Sequence, residues 1–281
     1  MAGAAIQLTR LLAVFGLAGM LASCDDPYGP AAFLKRYDLE PTSAEQALVE
    51  AAATAANSVL VSIDGGWAFE FGGVTSTVPS PVPILLLSNR NLAPNVDVID
   101  VPEGCRCVLI QASAIRKWLD VARDANGYGD PFDETFALAF MLLHEMGHIA
   151  EEDYVDREGK PDPDGKLAKQ REERADAFAE KALRAALGGS GEAVQVAQSI
   201  VANLNVLAFN VYYANALSQG LSELMCLTST LYWDMGYSHP NLVFRMMTMA
   251  GKFVPSPQTA QIVAEFVDCR GKPESYFEIL K

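Results

Sequence analysis

Hydrophobic and polar positions divide the chain into two parts that meet near residue 113. In the first part, short apolar runs between turn residues predict strands in "PILLLS" and "CVLIQAS", and a hairpin in "VLVSIDGGWAFEF" that turns at residues 64–66. Ahead of these runs, Ser43 and Gln46 form a capping-box pattern that begins an alanine-rich helix ending near Asn57. The first part is therefore predicted to contain one helix and a small antiparallel sheet.

The second part is predicted to be mostly helical. An aspartate followed by proline at residues 130–131 is a typical helix start, and "FALAFMLL" is apolar on every side, so a buried helix should run to about Glu152. A polar loop separates it from a second helix over about 166–187, which ends at a glycine pair, and a third helix spans about 192–218. The two parts together predict a mainly helical α+β fold.

The amino terminus has the pattern of an export signal. Arg10 precedes the apolar stretch "LLAVFGLAGMLA", which is too short to span a bilayer comfortably and is followed by small residues. The stretch ends in "LASC", which resembles the lipobox of bacterial lipoproteins, so Cys24 is the expected lipidation site; an ordinary secretory signal is the alternative. Residues 1–23 are therefore predicted to be a signal peptide, 24–41 a tether rich in Pro, Asp and Tyr, and 42–281 one domain.

Net charge excludes one class of partner. The 281 residues carry a formal net charge of −14 and contain no basic run. Phosphate groups would be repelled by such a chain, so no nucleic-acid partner is expected.

The remaining cysteines suggest disulfides. Apart from Cys24, the chain contains Cys105, Cys107, Cys226 and Cys269. An even number in an oxidising compartment is compatible with two disulfides. A bridge within Cys105-Arg106-Cys107 would strain so short a loop, so the first two cysteines are each expected to pair with one of the last two. A cysteine zinc site is less favoured, because the C-R-C spacing lacks the usual spacer.

Candidate chemistry begins with "HEMGH" at residues 144–148. On a helix, His144 and His148 project from the same face one turn apart, which suits a single Zn²⁺ held by two imidazoles. Glu145 lies about 100° around the helix, where it could take a proton from a zinc-bound water without binding the metal itself. Gly147 would let another element approach closely. The alternative is three solvated polar residues at a helix end.

A catalytic zinc needs a third protein ligand, and "REERADAFAEKAL" offers one. Glu172 and Asp176 interrupt a stripe of small and apolar residues on the face of this helix that should pack inward. Buried carboxylates require a positive partner, so Glu172 is predicted to be the third ligand and Asp176 to accept the N–H of His144 from the side away from the metal. Ala175 and Ala179 would permit close helix packing. The alternative is a charged, alanine-rich surface helix.

The last histidine lies in "YSHPNLVFR". A site that attacks a carbonyl needs hydrogen-bond donors for the developing oxyanion and for substrate backbone, and Tyr237, His239 and Arg245 are candidates. A capping or core histidine beside a proline turn is the alternative.

These three motifs together resemble the gluzincin peptidases of the M48 type, a group that includes the CAAX prenyl endopeptidases, HtpX-like membrane proteases and periplasmic relatives. The matching segments are "HEMGH", "EERAD", which fits the family's E-x-x-A-D, and "SHPNLVFR", which fits its H-P…R element. The resemblance covers about residues 105–250. It implies a zincin-like fold with one zinc per chain on His144, His148 and Glu172, and with Glu145 as general base. It also implies that His239 and Arg245 contact substrate or the transition state, and that "CVLIQAS" is an edge strand pairing with extended substrate.

The predicted function is a zinc metalloendopeptidase that hydrolyses protein or peptide substrates in the bacterial cell envelope. Cys24 would anchor it to a membrane facing the periplasm, and Asp25 favours retention in the inner membrane. Another gluzincin family sharing the first two motifs is one alternative. A second alternative, from a different functional class, is a non-catalytic zinc-binding lipoprotein that acts as a chaperone or assembly factor.

Overall fold

The described part of the chain is mainly helical, with a small sheet. The computed structural model describes residues 41–74, 78–87, 99–102, 104–111, 132–154, 166–219, 242–257, 259–261 and 263–264. The helices are α1 (Ser43–Leu60), α2 (Glu134–Ala150), α3 (Lys166–Leu187), α4 (Glu192–Gln219) and α5 (Leu242–Phe253). The strands are β1 (Phe69–Glu70), β2 (Val82–Leu87), β3 (Ile99–Asp100) and β4 (Val108–Gln111). Within these ranges, no helix has the length and apolar character needed to cross a membrane.

Helix α1 begins with a capping box that is one residue earlier than predicted. Thr42 is the N-cap: its hydroxyl accepts the N–H of Glu45 at 3.2 Å, while the Glu45 carboxylate accepts the N–H of Thr42 at 2.8 Å. Both Thr42-x-x-Glu45 and Ser43-x-x-Gln46 fit the capping pattern, and the register with the carboxylate is adopted because an ionised acceptor forms the stronger hydrogen bond.

The hairpin predicted after α1 is wrong. Val59 and Leu60 are fully buried in the last turn of α1 and do not form a strand. The following chain turns at Gly65 and Gly66, both with positive φ, and enters β1. Asn57 fixes the start of β1, because its side chain both accepts from Phe69 N (2.7 Å) and donates to Phe69 O (3.0 Å). The apolar pair Val59-Leu60 is therefore used as a buried helix end, because tertiary packing overrides its strand propensity.

The sheet is mixed, so the predicted antiparallel sheet is wrong in its strand directions. Its order is β1-β2-β4-β3, with β1 and β4 parallel to β2 and only β3 antiparallel to β4. The two longer strands coincide with "PILLLS" and "CVLIQAS". Strand β4, expected at the edge, lies between β2 and β3, and β3 occupies that edge instead. Apolar runs reveal where strands occur but do not reveal strand direction or order, which depend on the connections.

Helix α2 is the centre of the hydrophobic core. It packs against α1, α3 and α4, and its buried residues include Leu138, Leu142 and Met146. Its N-cap is Asp133, which accepts the N–H of Thr135 at 2.8 Å; the start predicted at residues 130–131 lies outside the described residues. The bounds of α3 and α4 agree with the prediction to within one residue, because clear glycine and polar breaks flank both apolar patterns.

The predicted cysteine pairing is wrong for the two cysteines that the structure describes. Cys105 forms a disulfide with Cys107 in the turn between β3 and β4, with their Cα atoms 5.2 Å apart. This separation is ordinary for a disulfide, since bends at this turn bring the two side chains to the same side. Both cysteines are buried with Leu85, Leu87 and Leu109. Cys24, Cys226 and Cys269 lie outside the described residues.

Candidate metal centre

The "HEMGH" segment forms the last turns of α2, and its two histidines share one buried face. His144 and His148 are 7% and 6% exposed, and their rings meet edge to face with centroids 4.8 Å apart. Their Nε2 atoms face each other at 3.1 Å. The four-residue spacing predicted this pairing, whereas the burial comes from α3, which covers the end of α2.

Helix α3 approaches α2 at Gly147 and brings Glu172 to both imidazoles. A Cβ atom on Gly147 would lie only 2.6 Å from Ala175 Cα and 2.8 Å from Ala175 O, so the closest approach of the two backbones requires glycine. Glu172 Oε2 lies 3.2 Å from His144 Nε2, and Glu172 Oε1 lies 3.4 Å from His148 Nε2. The predicted close packing at Gly147 and Ala175 is confirmed, and it places the three predicted ligands around one point.

The three side chains lie close enough together to surround one small metal ion. Tetrahedral zinc with bonds of about 2.0–2.1 Å to nitrogen and oxygen has neighbouring ligand atoms roughly 3.3 Å apart. The two Nε2 atoms are 3.1 Å apart, and they lie 3.2 Å and 3.4 Å from the two different oxygens of Glu172. With one atom taken from each residue, the three ligand atoms lie within 4.8 Å of one another. All three side chains are buried, and two imidazoles with one carboxylate form a ligand set known from catalytic zinc sites. His144, His148 and Glu172 could therefore hold a metal ion.

Each imidazole is held on its other nitrogen by an aspartate. His144 Nδ1 lies 2.9 Å from Asp176 Oδ1, the contact predicted from the spacing on α3. His148 Nδ1 lies 2.9 Å from Asp153 Oδ2, a contact that was not predicted. A carboxylate only accepts hydrogen bonds, so Asp153 places the proton of a neutral His148 on Nδ1, and the lone pair of Nε2 faces Glu172. Asp176 favours the same tautomer of His144, whose Nδ1 and Nε2 also lie 3.0 Å and 3.1 Å from the donor Nη2 of Arg245. Three converging acceptors need a cation or added protons between them.

Arg245 lies at this site, but it binds acidic side chains of the protein. From α5, its guanidinium forms a fork on Asp176, with Nε at 2.9 Å from Oδ2 and Nη2 at 2.8 Å from Oδ1, and Nη1 donates to Glu172. Its Nη2 also lies 3.0 Å from Nδ1 of His144. The side chain is only 11% exposed. The structure therefore brings Arg245 to the ligands as predicted, and the contacts it describes there are with the protein.

These contacts shift the pKa values of the three candidate ligands. Burial lowers the pKa of His148, but its hydrogen bonds to Asp153 and Glu172 outweigh burial and raise the pKa to about 10. Burial and Arg245 lower the pKa of His144, whereas Asp176 and Glu172 raise it above its ordinary value. Burial raises the pKa of Glu172, but the two histidines and Arg245 hold it well below its usual range. Without a metal, protons on the imidazoles compensate Glu172, so a metal ion and protons compete for one place.

Glu145 is buried beside the three ligands but is not one of them. It is 6% exposed, and burial raises the pKa of its carboxyl above the ordinary value, opposed by the nearby histidines. The negative charge of Asp100 at the sheet edge acts in the same direction as burial. Such a carboxylate is a stronger base than an exposed one, as general acid–base work near neutral pH requires.

Three residues differ from the prediction or lie beyond its test: Tyr237, His239 and Asp153. Tyr237 and His239 lie outside the described residues. Asp153 was missed because it follows the helix end, where the four-residue spacing that identified Asp176 no longer applies. The available signal was an acidic residue near the carboxyl end of "HEMGH", a segment in which three acids occur in succession.

Comparisons with protein-family models, with curated proteins and with solved structures each found no significant match. The functional inference therefore rests on the residues and geometry of this site.

Proposed function

We propose that this chain is a zinc-dependent endopeptidase of the gluzincin type, related to the M48 peptidases by the motifs at His144, Glu172 and Arg245. One observation carries the proposal: two imidazole Nε2 atoms and a carboxylate converge at 3.1–3.4 Å, while both Nδ1 atoms are held by aspartates. Protonated imidazoles around Glu172 would use the same contacts, and the feature that favours a metal is the buried set of two imidazoles and one carboxylate with the buried Glu145 beside it. The geometry thus supports a metal ion in preference to a purely structural cluster.

In this proposal His144, His148 and Glu172 would hold one zinc ion. Zinc supplies Lewis-acid chemistry at such a site, since it activates water at neutral pH and polarises a carbonyl. Asp176 and Asp153 keep the imidazoles in the tautomer that ligation requires. Their contacts order the ligands before the ion arrives.

Glu145 performs the proton transfers. It accepts a proton from water as the oxygen attacks the peptide carbonyl, and it then donates that proton to the leaving amine. Its burial supports the first step, because the raised pKa makes this carboxylate a stronger proton acceptor than an exposed one. In this proposal His239 and Arg245 contact the substrate or the transition state, as the family resemblance implies.

Metal analysis and one substitution test the proposal. Purified protein should contain about one zinc per chain and should cleave an unfolded casein-like substrate. Glu145→Gln should retain the zinc and lose cleavage by at least about 100-fold, the usual contribution of general acid–base catalysis. Glu173→Gln is the matched control, because it removes a carboxylate from an exposed position on α3 and should change neither property.

Three results would contradict the enzyme proposal. The first is wild-type protein that takes up no zinc, and the second is Glu145→Gln protein that cleaves as fast as wild type. The third is a zinc-loaded wild type that cleaves nothing while it protects an envelope protein from aggregation. That outcome would instead favour the non-catalytic lipoprotein acting as a chaperone or assembly factor.

The location of the enzyme is a separate part of the proposal. The lipobox-like "LASC" supports a lipid on Cys24, with the domain facing the periplasm and with envelope proteins as substrates. Cys24→Ser should move the protein from the membrane fraction to the soluble fraction while leaving zinc content unchanged. Unchanged fractionation would contradict the anchor without affecting the peptidase proposal.

A further inference from the structure

The turn after α2 folds back on the helix in an uncommon way. Glu152 adopts φ +56°, the left-handed region that glycine usually occupies at this place. With this conformation, Asp153 N donates to His148 O at 2.9 Å and Glu152 N donates to Ile149 O at 3.2 Å. These two bonds make up a Schellman motif whose left-handed residue carries a side chain. Left-handed conformations of non-glycine residues cost free energy and persist where the surrounding structure requires them.

The consequence of the turn is that Asp153 contacts His148 twice. Its backbone binds the carbonyl oxygen of His148, and its carboxylate reaches the Nδ1 atom of the same residue at 2.9 Å. The Asp153 side chain is only 4% exposed. A helical residue five positions after a histidine would face away from it, so the left-handed turn is what makes the contact possible.

The second oxygen of Asp153 binds α3, the helix that supplies Glu172. Oδ1 lies 3.3 Å from Arg174 Nη2 and 3.5 Å from Arg171 Nε. Arg171 directly precedes Glu172 in the sequence, and Arg174 follows it by two residues. The side chain of Arg174 is 45% exposed and that of Arg171 is 30% exposed. The carboxylate is therefore divided, with Oδ2 on the imidazole and Oδ1 on the arginines.

We propose that Asp153 is a positioning residue for His148, and that the left-handed turn at Glu152 and the arginine pair of α3 together hold it in place. This inference rests on the proposed zinc site and adds a residue to it. The carboxylate fixes the proton on Nδ1, so that Nε2 is presented to the metal, and the arginines prevent the carboxylate from rotating away. His148 thereby receives from its own helix end the support that His144 receives from Asp176 on another helix.

A merely structural role for Asp153 would have a different signature. If the carboxylate served only to tie the turn to α3, its two arginine contacts would be sufficient and the orientation of the His148 ring would be incidental. Removing the carboxylate would then lower stability without a specific effect on metal affinity. Replacing it with asparagine separates the two roles, because the amide oxygen still accepts from Nδ1–H although it loses most of its attraction for the arginines.

The experiment measures Zn²⁺ affinity of the purified protein by competition with a chelator. Asp153→Ala should weaken binding about 10–100-fold, the range expected when a hydrogen-bond partner of a ligating histidine is removed. Asp153→Asn should restore only part of that loss, because its amide oxygen can still accept from Nδ1–H but the arginines no longer hold the side chain in place. Glu192→Gln is the matched control, since it removes an exposed carboxylate at the start of α4, outside the site, and should stay within about twofold of wild type.

A spectroscopic measurement on the wild type keeps the test decisive if a variant fails to fold. Long-range ¹H–¹⁵N correlation of the zinc-loaded protein should show His148 protonated on Nδ1 and bound through Nε2. In Asp153→Ala the Nδ1–H signal of His148 should move or vanish through exchange, whereas that of His144 should persist.

The possible failures are distinct. Equal zinc affinity of wild type and Asp153→Ala, or a His148 bound through Nδ1, would overturn the role of Asp153 and leave the peptidase proposal intact. Wild-type protein that binds no zinc would overturn both.

Discussion

The two imidazoles of the candidate site are supported in the same chemical way but by different parts of the chain. His144 is held by Asp176 of α3, which is in turn bound by Arg245 of α5, so three helices contribute. His148 is held by Asp153, five residues later in the same segment, and arginines from α3 bind the far oxygen. One half of the site is therefore assembled by tertiary packing and the other by a helix end. The difference predicts unequal consequences when the two halves are disturbed.

The largest difference should appear when the two aspartates are removed in turn. Among the described residues, Asp176→Ala leaves the almost buried Arg245 with Glu172 as its carboxylate partner, and breaking such a pair costs about 3 kcal/mol of unfolding free energy. Asp153→Ala leaves two arginines that water already reaches, so its cost in stability should be smaller, about 1–2 kcal/mol. Chemical denaturation of both metal-free variants checks the order. Equal losses would show that the two halves of the site are not built differently.

A bulkier residue at the helix crossing should disturb both halves together. Gly147→Ala places a methyl group against the Ala175 backbone, which cannot move as the end of a side chain can. Separation of α2 and α3 should cost about 1–3 kcal/mol and draw Glu172 away from both histidines. The melting temperature and the zinc affinity should both be lower than in wild type. A matched Gly73→Ala change, at a surface position where a Cβ meets nothing within 4 Å, should leave zinc affinity unchanged.

The number of protons released when zinc binds should depend on the His148 half of the site. At pH 8 the metal-free protein keeps His148 protonated, because its pKa is raised to about 10, and ligation requires the neutral ring. Zinc binding should therefore expel about one proton from this residue, and affinity should rise with pH up to that pKa. Calorimetric titrations in buffers of different ionisation enthalpy measure the number of protons released per zinc ion bound. Asp153→Ala should release fewer protons at pH 8, since it loses a contact that raises the pKa.

The smallest effect is expected at the turn itself. Glu152→Gly should relieve the left-handed conformation and stabilise the protein by about 0.5–1 kcal/mol, less the entropy cost of an added glycine. Zinc affinity should be unchanged, because the turn geometry and Asp153 are preserved. A lower melting temperature would indicate that the Glu152 side chain makes a compensating contact.

Local patterns identified the three residues that could bind a metal ion, and one of the two aspartates that contact their imidazoles. The spacing of His144, His148, Glu172 and Asp176 follows from helix periodicity, which is a property of the sequence alone. Buried carboxylates on the inward face of α3 required positive partners, and Arg245 and the histidines are among those partners. The bounds of α3 and α4 followed for the same reason, since each has a regular apolar face between clear breaks.

Tertiary structure decided what local patterns leave open. Whether Val59 and Leu60 continue a helix or begin a strand depended on the core they fill, and strand order depended on connections that periodicity does not encode. The pairing of Cys105 with Cys107 depended on the bends between two strands. Asp153 reached His148 only through a left-handed residue, which no periodic pattern predicts. The sequence by itself determined which groups could bind an ion, because helix geometry fixes their spacing; the fold decided how each was oriented, because orientation comes from contacts between distant segments.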